Sequence, residues 1–526
     1  MKWKILWILV LFILAVIFSH ERDQDMPAKR IKIGGPFKGL NSDLPQTDTP
    51  LDYCYSMQNC HVNKSGQIEQ RKGSWRGHTT SLNSLQEICN KIFEVKLPGQ
   101  LNPSYILSSY GSFQEVYMIS RPYVFYSVYT TGAPYFLPEL SQVCQFSDWV
   151  IMTWGGGIPR KATVAAHVWT PSVISADAAM PQDSDSCFTF NNRLWLNSKA
   201  NPMMAYGSKV GDPTASDSWS KTQDTVTIDF SKVLPMGDKL LGFHQFNGML
   251  VFLFKKHIVL YSMPADFSSI RLVKIFNFGV YSKFSVCSVG SDLAVFGYDG
   301  ITMLSQAYET GVASKYFTRN ISKALIALNG SSLYSDNCTL FFYPPLRQLW
   351  AQVSNSGGSG ITNFIIDLDL KECVGQYSFQ IQSLMYTSVG IAQPYNLHGI
   401  LRFSSTEVYL ETLLDGTKDY LSSNSTGGYA SSITAYFSKL KSIGGGRVKK
   451  FISGGVSIQN VTGSPAVTFG FGASGINYTS GDYSKRAISP ITATAMSQCH
   501  ISKNEVSTLI NVNSVDVDYV VLGDKI

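Results

Sequence analysis

A short unit recurs along this chain: an apolar run rich in Val, Ile, Phe and Tyr, a tight polar turn, and a second apolar run. Gly248 to Met263 reads GMLVFLFKKHIVLYSM, and Asp292 to Ser305 reads DLAVFGYDGITMLS. In the second stretch Asp299-Gly300 offers the positive-φ residues that a two-residue hairpin turn needs. Similar units begin near Tyr105, Trp149, Arg193, Met249, Leu293, Leu340 and Gly399, a spacing of roughly 40 to 60 residues, the range of four-stranded propeller blades. A strand pair cannot bury its apolar face alone, so neighbouring sheets must stack and share their cores. The pattern predicts an all-β fold whose body is an irregular β-propeller of about six or seven blades. With no fixed Trp-Asp signature in the repeat, a pair of stacked sandwiches is the other architecture that fits. Helical periodicity is confined to a short turn near Ser81 to Lys91.

The 526 residues exceed what one core usually organises. Charged residues make up 15%, apolar residues 44% and aromatics 13%, and there are 43 Gly and 21 Pro. This composition excludes a disordered chain and a coiled coil. Lys and Arg total 43 against 37 Asp and Glu, a balance of +6, which lacks the dense basic field of a duplex-DNA reader. The nine cysteines show no CxxC spacing, only Cys54 and Cys60 lie close, and most sit in apolar runs such as FSVCSVG. That usage favours buried free thiols and a reducing compartment over a disulfide framework.

Residues 1–25 form a hydrophobic leader, with fourteen apolar residues from Ile5 to Phe18 behind Lys2 and Lys4. An anchor, a cleaved signal and a reading frame extended upstream of Met26 all fit it. Residues 26–80 have little periodicity and many turn residues, and read as an extended N-terminal arm able to lie across a neighbouring subunit or back over its own body. The body spans 81–425. The linker SSNSTGGYASS (Ser422 to Ser432) and the segment GGGRVKKF (Gly444 to Phe451) introduce a small C-terminal β-domain over 426–526.

A search for chemistry returns ordinary readings. The histidines show no HxH or HExxH spacing, and there is neither a GxSxG elbow nor a GxxxxGK[ST] cradle. Gly470 to Gly475 spells GxGxxG, yet INYTSGD follows where a helix would have to open, so this is a turn. Asp367/Asp369 and Asp516/Asp518 lie two apart on strand-like segments, placing each pair on one face. A calcium ligand set or a glycosidase pair could use them, but solvated strand faces are the commoner outcome. Basic residues cluster at Lys255, Lys256 and His257 in a hairpin turn and at Arg447, Lys449 and Lys450 after three glycines. No aromatic platform accompanies them, so any nucleic-acid contact is expected to be weak and non-specific. The expectation is a non-enzyme with no cofactor and no metal.

The arm from Gly35 to Trp75 reads GPFKGLNSDLPQTDTPLDYCYSMQNCHVNKSGQIEQRKGSW. Its G-L-N-x-D-L-P stretch, N-C-x-V strand, x-x-G-x-I-x-x-R turn and closing R-K-G resemble the opening of virion proteins of short-tailed bacteriophages. NNRLWLNSKANPMMAYGSKVGDP (Asn191 to Pro213), GFHQFNGMLVFLFKKHIVLYSM and FGVYSKFSVCSVGSDLAVFGYDGITMLS fit the same group. The resemblance, to tail-tube nozzle and packaged-DNA stabilisation proteins, runs from Gly35 to about Ser305 and implies propeller blades for these passages. It further implies a homo-oligomer, commonly a hexameric ring below the portal and tail adaptor. Such a ring closes the genome channel and touches the genome non-specifically, and the protein resides in the virion tail after assembly in the host cytoplasm. Leu40, Asn41, Leu44, Arg71 and Trp75 then become candidate subunit contacts, and Lys255, Lys256, Arg447 and Lys449 candidate channel or interface positions. The leader departs from the family's pattern. If it is a real anchor, the rival reading is a membrane-anchored or secreted propeller that binds carbohydrate or protein. A third reading, a glycan-cleaving propeller, would rest on Asp367 and Asp369.

Overall fold

The computed structural model describes residues 29–45, 48–76, 91–95, 104–109, 112–117, 124–130, 140–155, 157–165, 168–220, 224–263, 270–313, 316–329, 338–354, 361–378, 381–387, 396–402, 408–414, 433–439, 448–460, 467–471, 474–478, 487–490, 498–503 and 510–523. The leader and the helical turn expected from Ser81 lie outside these residues, apart from Lys91 at the start of a strand. The chain divides into two units. One holds 72–373 and 377–429, and the other holds 1–71, 374–376 and 430–526.

The first unit is a β-propeller of antiparallel meanders. They begin with Lys91–Val95, Ser104–Ser109, Ser112–Tyr117 and Val124–Thr130, followed by Leu140–Phe146, Trp149–Trp154, Gly157–Ala165 and Val168–Val173. The third comprises Cys187–Phe190, Arg193–Asn197, Met204–Gly207 and Val226–Asp229, and the fourth Leu240–Phe246, Met249–Phe254, Ile258–Ser262 and Arg271–Phe276. The fifth has three strands, Val286–Val289, Asp292–Gly297 and Gly300–Met303. Beside it the helix Leu304–Thr310 packs against the last two strands and buries Leu304 and Ala307. The last blade joins Ile381–Thr387, Asn396–Arg402 and Val408–Leu413 to Ser74–Arg76 from the start of the unit. These are six separate blade sheets. Between the fifth and the last runs a further meander of Thr339–Tyr343, Gln348–Ser354, Ile361–Asp367 and Glu372–Tyr377.

First strands meet first strands around the ring. Lys91–Val95 touches both Leu140–Phe146 and Ile381–Thr387, so the circle closes from last blade to first. The N-terminal strand thus completes the last blade as its outermost strand, tying the start of the unit to its end. Ser74 pairs with Leu413, and its hydroxyl donates to the carboxylate of Glu411, which is wholly buried.

Turn chemistry explains the regular hairpins between first and second strands. Asn191 and Asn192 both have positive φ (48° and 54°), as do Asn247 and Gly248 (47° and 73°), the conformation that a two-residue hairpin turn requires. Phe146, Phe190 and Phe246 close these turns across from Trp149, Arg193 and Met249. The turn expected at Asp299-Gly300 is built differently. Gly297 pairs with Gly300, so Tyr298 and Asp299 form the tip and Gly300 alone carries positive φ, 96°. A glycine in that place is what a bulged hairpin turn uses.

The cores lie between blades, as stacking demands. Trp195 and Phe190 of the third blade share a cluster with Phe243, Phe252 and Phe254 of the fourth. Leu253 and Phe246 of the fourth pack with Val286, Leu293 and Val295 of the fifth. Phe252 sits at the centre of the first cluster, with ring centroids 4.8 Å from Phe230, 5.5 Å from Tyr261, 5.7 Å from Phe243 and 5.9 Å from Trp195.

In the second unit strands of the arm pair with strands of the C-terminal block. Lys29–Gly34 pairs antiparallel with Ile510–Gly523, Lys29 lying opposite Tyr519. Ile510–Gly523 also pairs with Val448–Asn460 and with Ile68–Gln70. Ser56–Gln58 pairs with Ile433–Lys439. The arm strands are two to six residues long, too short to be stable in isolation, and the long C-terminal strands supply their partners. Gly470 and Gly475 pair across a hairpin, so the GxGxxG string is a turn between strands.

Candidate functional site

The first strands of the propeller unit wall a cavity of about 370 Å³. Each blade contributes a few residues near the inner end of its meander: Phe93, Gln142 with Cys144, Phe188, His244, Phe284, Phe341 and Ser383. Strand alternation explains the selection, since every second residue of a first strand faces the axis while its neighbours enter the inter-blade cores. Phe243 touches both the cavity and the core cluster, which fixes the wall to the packed interior.

Hydrogen bonds hold the polar wall residues. Ser186 Oγ donates to Gln142 Oε1 at 2.7 Å. Lys283 Nζ donates to Ser141 Oγ at 2.7 Å and to the carbonyl of Asp185, and lies 5.4 Å from the centroid of the Phe284 ring. His244 Nδ1 lies 2.8 Å from the Gln245 backbone nitrogen and 3.2 Å from the Gln245 carbonyl oxygen. Burial pushes the His244 pKa down, with the Gln245 carbonyl opposing it, so the ring is neutral at pH 7. Burial, reinforced by its neighbour Cys187, pushes the Cys144 thiol well up, which makes it a poor nucleophile.

The residues singled out from sequence fall in several places. Leu40 and Asn41 are buried in the second unit, and Leu44 is exposed. Asn41 donates its N–H to the Cys54 carbonyl, while its Oδ1 has no hydrogen-bond partner among the described residues. Arg71 is 3% exposed, and its Nε donates to Asn59 Oδ1 at 2.9 Å. Trp75 pairs through its backbone with Thr412 in the propeller's closing strand. Lys255 is half-buried and Lys256 exposed in a turn secured by Asp238, which accepts from the Lys256 N–H at 3.1 Å and faces His257 Nδ1 at 2.7 Å. Lys449 lies on the strand Val448–Asn460, and Arg447 lies outside the described residues.

The acid pair Asp367/Asp369 has a local role. Asp367 is buried and accepts the N–H groups of Asp369 and Leu370, shaping the turn, while Asp369 meets Arg347 at 2.8 Å. Asp516 and Asp518 lie on the strand that pairs with the arm. The seven described cysteines whose side chains are placed are all free thiols, as their spacing suggested. Burial pushes Cys60 up to about 12.

Sequence reading missed the cavity because no motif spans it: each strand gives one to three residues. A signal was nonetheless present. Cys144, Phe188 and His244 each stand two places before the phenylalanine that closes the turn, in CQF, FTF and HQF.

No family model and no curated protein matches this chain. Among solved structures it is similar to BBS1N in complex with ARL6DN, at 8% identity over 65% of this chain and 97% of that one, with a TM-score of 0.37. It is also similar to the Pan2 WD40 domain of Neurospora crassa, at 10% identity over 69% and 98%, with a TM-score of 0.33. The extracellular domain of a hybrid two component system from B. thetaiotaomicron follows at 12% identity, covering 77% of this chain and 45% of that one, with a TM-score of 0.36. The fold assignment rests on the strand order and ring closure described above.

Proposed function

We propose that this chain is a non-enzymatic structural protein of a short-tailed phage virion. Several copies would form part of the tail tube or nozzle ring, closing the portal channel, retaining packaged DNA and conducting it at ejection. The observation that carries the reading is the arm Gly35 to Trp75 with its family-like order of motifs, running directly into the strand Ser74–Arg76 that closes the propeller. A closed ring of interlocked blades resists deformation, as a conduit wall must. The propeller's own cavity, at about 370 Å³, cannot admit a duplex whose major groove alone is about 12 Å wide. DNA would therefore pass through the ring of subunits and not through a single propeller. Exposed Leu44 suits contact with a neighbouring copy, and exposed Lys256 suits contact with phosphate. A homo-hexamer bound to portal or adaptor follows from the same resemblance.

The test is composition and imaging of purified particles: a ring of this protein on the tail axis, below the portal, is the expected result. A monomer absent from particles removes the reading. One feature favours a second reading, a membrane-anchored or secreted propeller that binds carbohydrate or protein: the apolar run Ile5 to Phe18. Among the described residues no helix is long and apolar enough to cross a membrane. Expression from Met1 and from Met26, followed by membrane fractionation, separates the two, since an anchor retains only the longer product in the membrane.

A further inference from the structure

We infer that the connection between the third and fourth blades is a docking site for an anionic lipid surface, a property independent of the tail reading. Phe230 to Lys239 reads FSKVLPMGDK, and its apolar residues point two ways. Phe230 and Leu234 are buried in the core that the two blades share, whereas Val233 and Pro235 are exposed and Met236 is 92% exposed. Among the described residues no other large hydrophobic side chain stands so far into solvent.

A hydrogen-bonded frame holds this tip outward. The N–H groups of Val233 and Leu234 donate to the Phe230 carbonyl at 3.0 and 2.8 Å, and the Leu240 N–H donates to the Pro202 carbonyl at 2.8 Å. Gly237, with φ of 90°, turns the chain back. Asp238 then ties the loop to the neighbouring hairpin turn: its carboxylate accepts the N–H groups of Lys239 and Lys256 and faces His257. The Lys255 N–H adds a bond to the Lys239 carbonyl at 3.2 Å. Asp238 is thereby buried, while Lys232, Lys239 and Lys256 around it are exposed and Lys255 is half-buried. Asp229 offsets one of these charges, meeting Lys232 at 3.9 Å.

An apolar tip flanked by lysines matches a bilayer with negative headgroups, because apolar burial at the headgroup boundary and attraction to anionic lipid add. The frame is already rigid, so docking orders little that was free before. A neutral bilayer would leave the lysines without counter-charge, and a phosphate backbone offers Met236 and Val233 no apolar layer. The anionic lipid surface is the partner that satisfies both features.

The test reads Met236 itself. Dilute hydrogen peroxide converts an exposed methionine to its sulfoxide, one peroxide oxygen passing to sulfur and the other leaving as water. Peptide mass spectrometry on the full chain follows that rate at Met236. Vesicles of phosphatidylglycerol and phosphatidylcholine in equal parts should slow it about tenfold. Phosphatidylcholine vesicles should leave it unchanged, and added salt should reverse the protection. Because the readout is local, vesicle binding through Ile5 to Phe18 does not imitate it. Lys239→Gln and Lys256→Gln should each raise the lipid concentration for half-protection about fivefold. An oxidation rate indifferent to anionic vesicles overturns the proposal, as does equal protection by phosphatidylcholine alone. Half-protection unmoved by both lysine variants also overturns it, and so does stronger protection by duplex DNA than by the anionic vesicles.

Discussion

The two units of this protein are assembled from opposite kinds of contact. In the propeller each strand pairs with the next one along the chain, and each blade packs on its neighbour in sequence. Among the described residues of the six blades, Ser74–Arg76 reaches across to the final blade. In the arm-and-tail unit, by contrast, Lys29–Gly34 finds its partner near Tyr519, almost a full chain length away. Local pairing carries a small loop-closure cost and forms early, whereas distant pairing must wait until both segments exist. The propeller can thus acquire its core during synthesis, while the second unit depends on the last strand made.

The sharpest way to break this contrast is to end the chain at Tyr429. Hydrogen exchange should then show complete loss of protection for Lys29–Gly34 and Ser56–Gln58, while Leu250 to Phe254 stay protected. Loss of protection in both units would mean that they fold as one cooperative block. Within the propeller, Phe252→Ala removes the ring on which four aromatic neighbours pack. It should cost about 3–5 kcal/mol in denaturant melts, as large-to-small changes in well-packed cores do. A cost below about 1 kcal/mol would show that the core collapses around the gap.

The closing strand offers a smaller lever. Ser74→Ala deprives buried Glu411 of a donor, and a loss of about 1–3 kcal/mol is expected. Exchange should rise at Ser74 to Arg76 and Val408 to Leu413 before other blades respond, which would mark ring closure as the propeller's one non-local step. The smallest effect concerns pH. Burial alone would raise the Asp177 carboxyl, but the N–H groups of Ala179, Trp219 and Ser220 and the Ser220 hydroxyl outweigh it and hold its pKa below the usual carboxylate value. A depressed folded pKa contributes stability that is present above the unfolded value, about 3.9, and is lost as pH falls through the folded one. Asp177→Asn should therefore lower stability modestly at neutral pH, with the difference from wild type shrinking below about pH 4. A difference constant down to pH 2 would show that the carboxylate's charge plays no part.

Much of the propeller was legible in the residues. The recurring units at Trp149, Arg193, Met249 and Leu293 mark second strands, because an apolar run behind a two-residue turn has few ways to fold. Tyr105 and Gly399 also fall in second strands, whereas Leu340 lies in a first strand, its Pro344-Pro345 connection obscuring the turn. Gly207 is a case that pattern alone leaves mute. A Cβ there would come within 2.9 Å of the Trp195 ring lying over it, a constraint visible only once the strands are paired.

The candidate site was hardly legible at all. Lys283 looks like an ordinary turn residue and His244 like an ordinary strand residue, and nothing local links them to Phe93 or Ser383. Burial of Arg71 and Leu40 in the arm was equally hidden, since Arg71 is held by Asn59 and Leu40 pairs with Cys54 only once the arm has folded back on itself. Sequence by itself determined the strands, the turns and the blade-like spacing, because hydrophobic alternation and backbone conformation act over a few neighbouring residues. Tertiary structure alone decided how the ring closes, which segments complete the second unit and which side chains share the cavity, because those outcomes depend on through-space packing between residues that the chain keeps far apart.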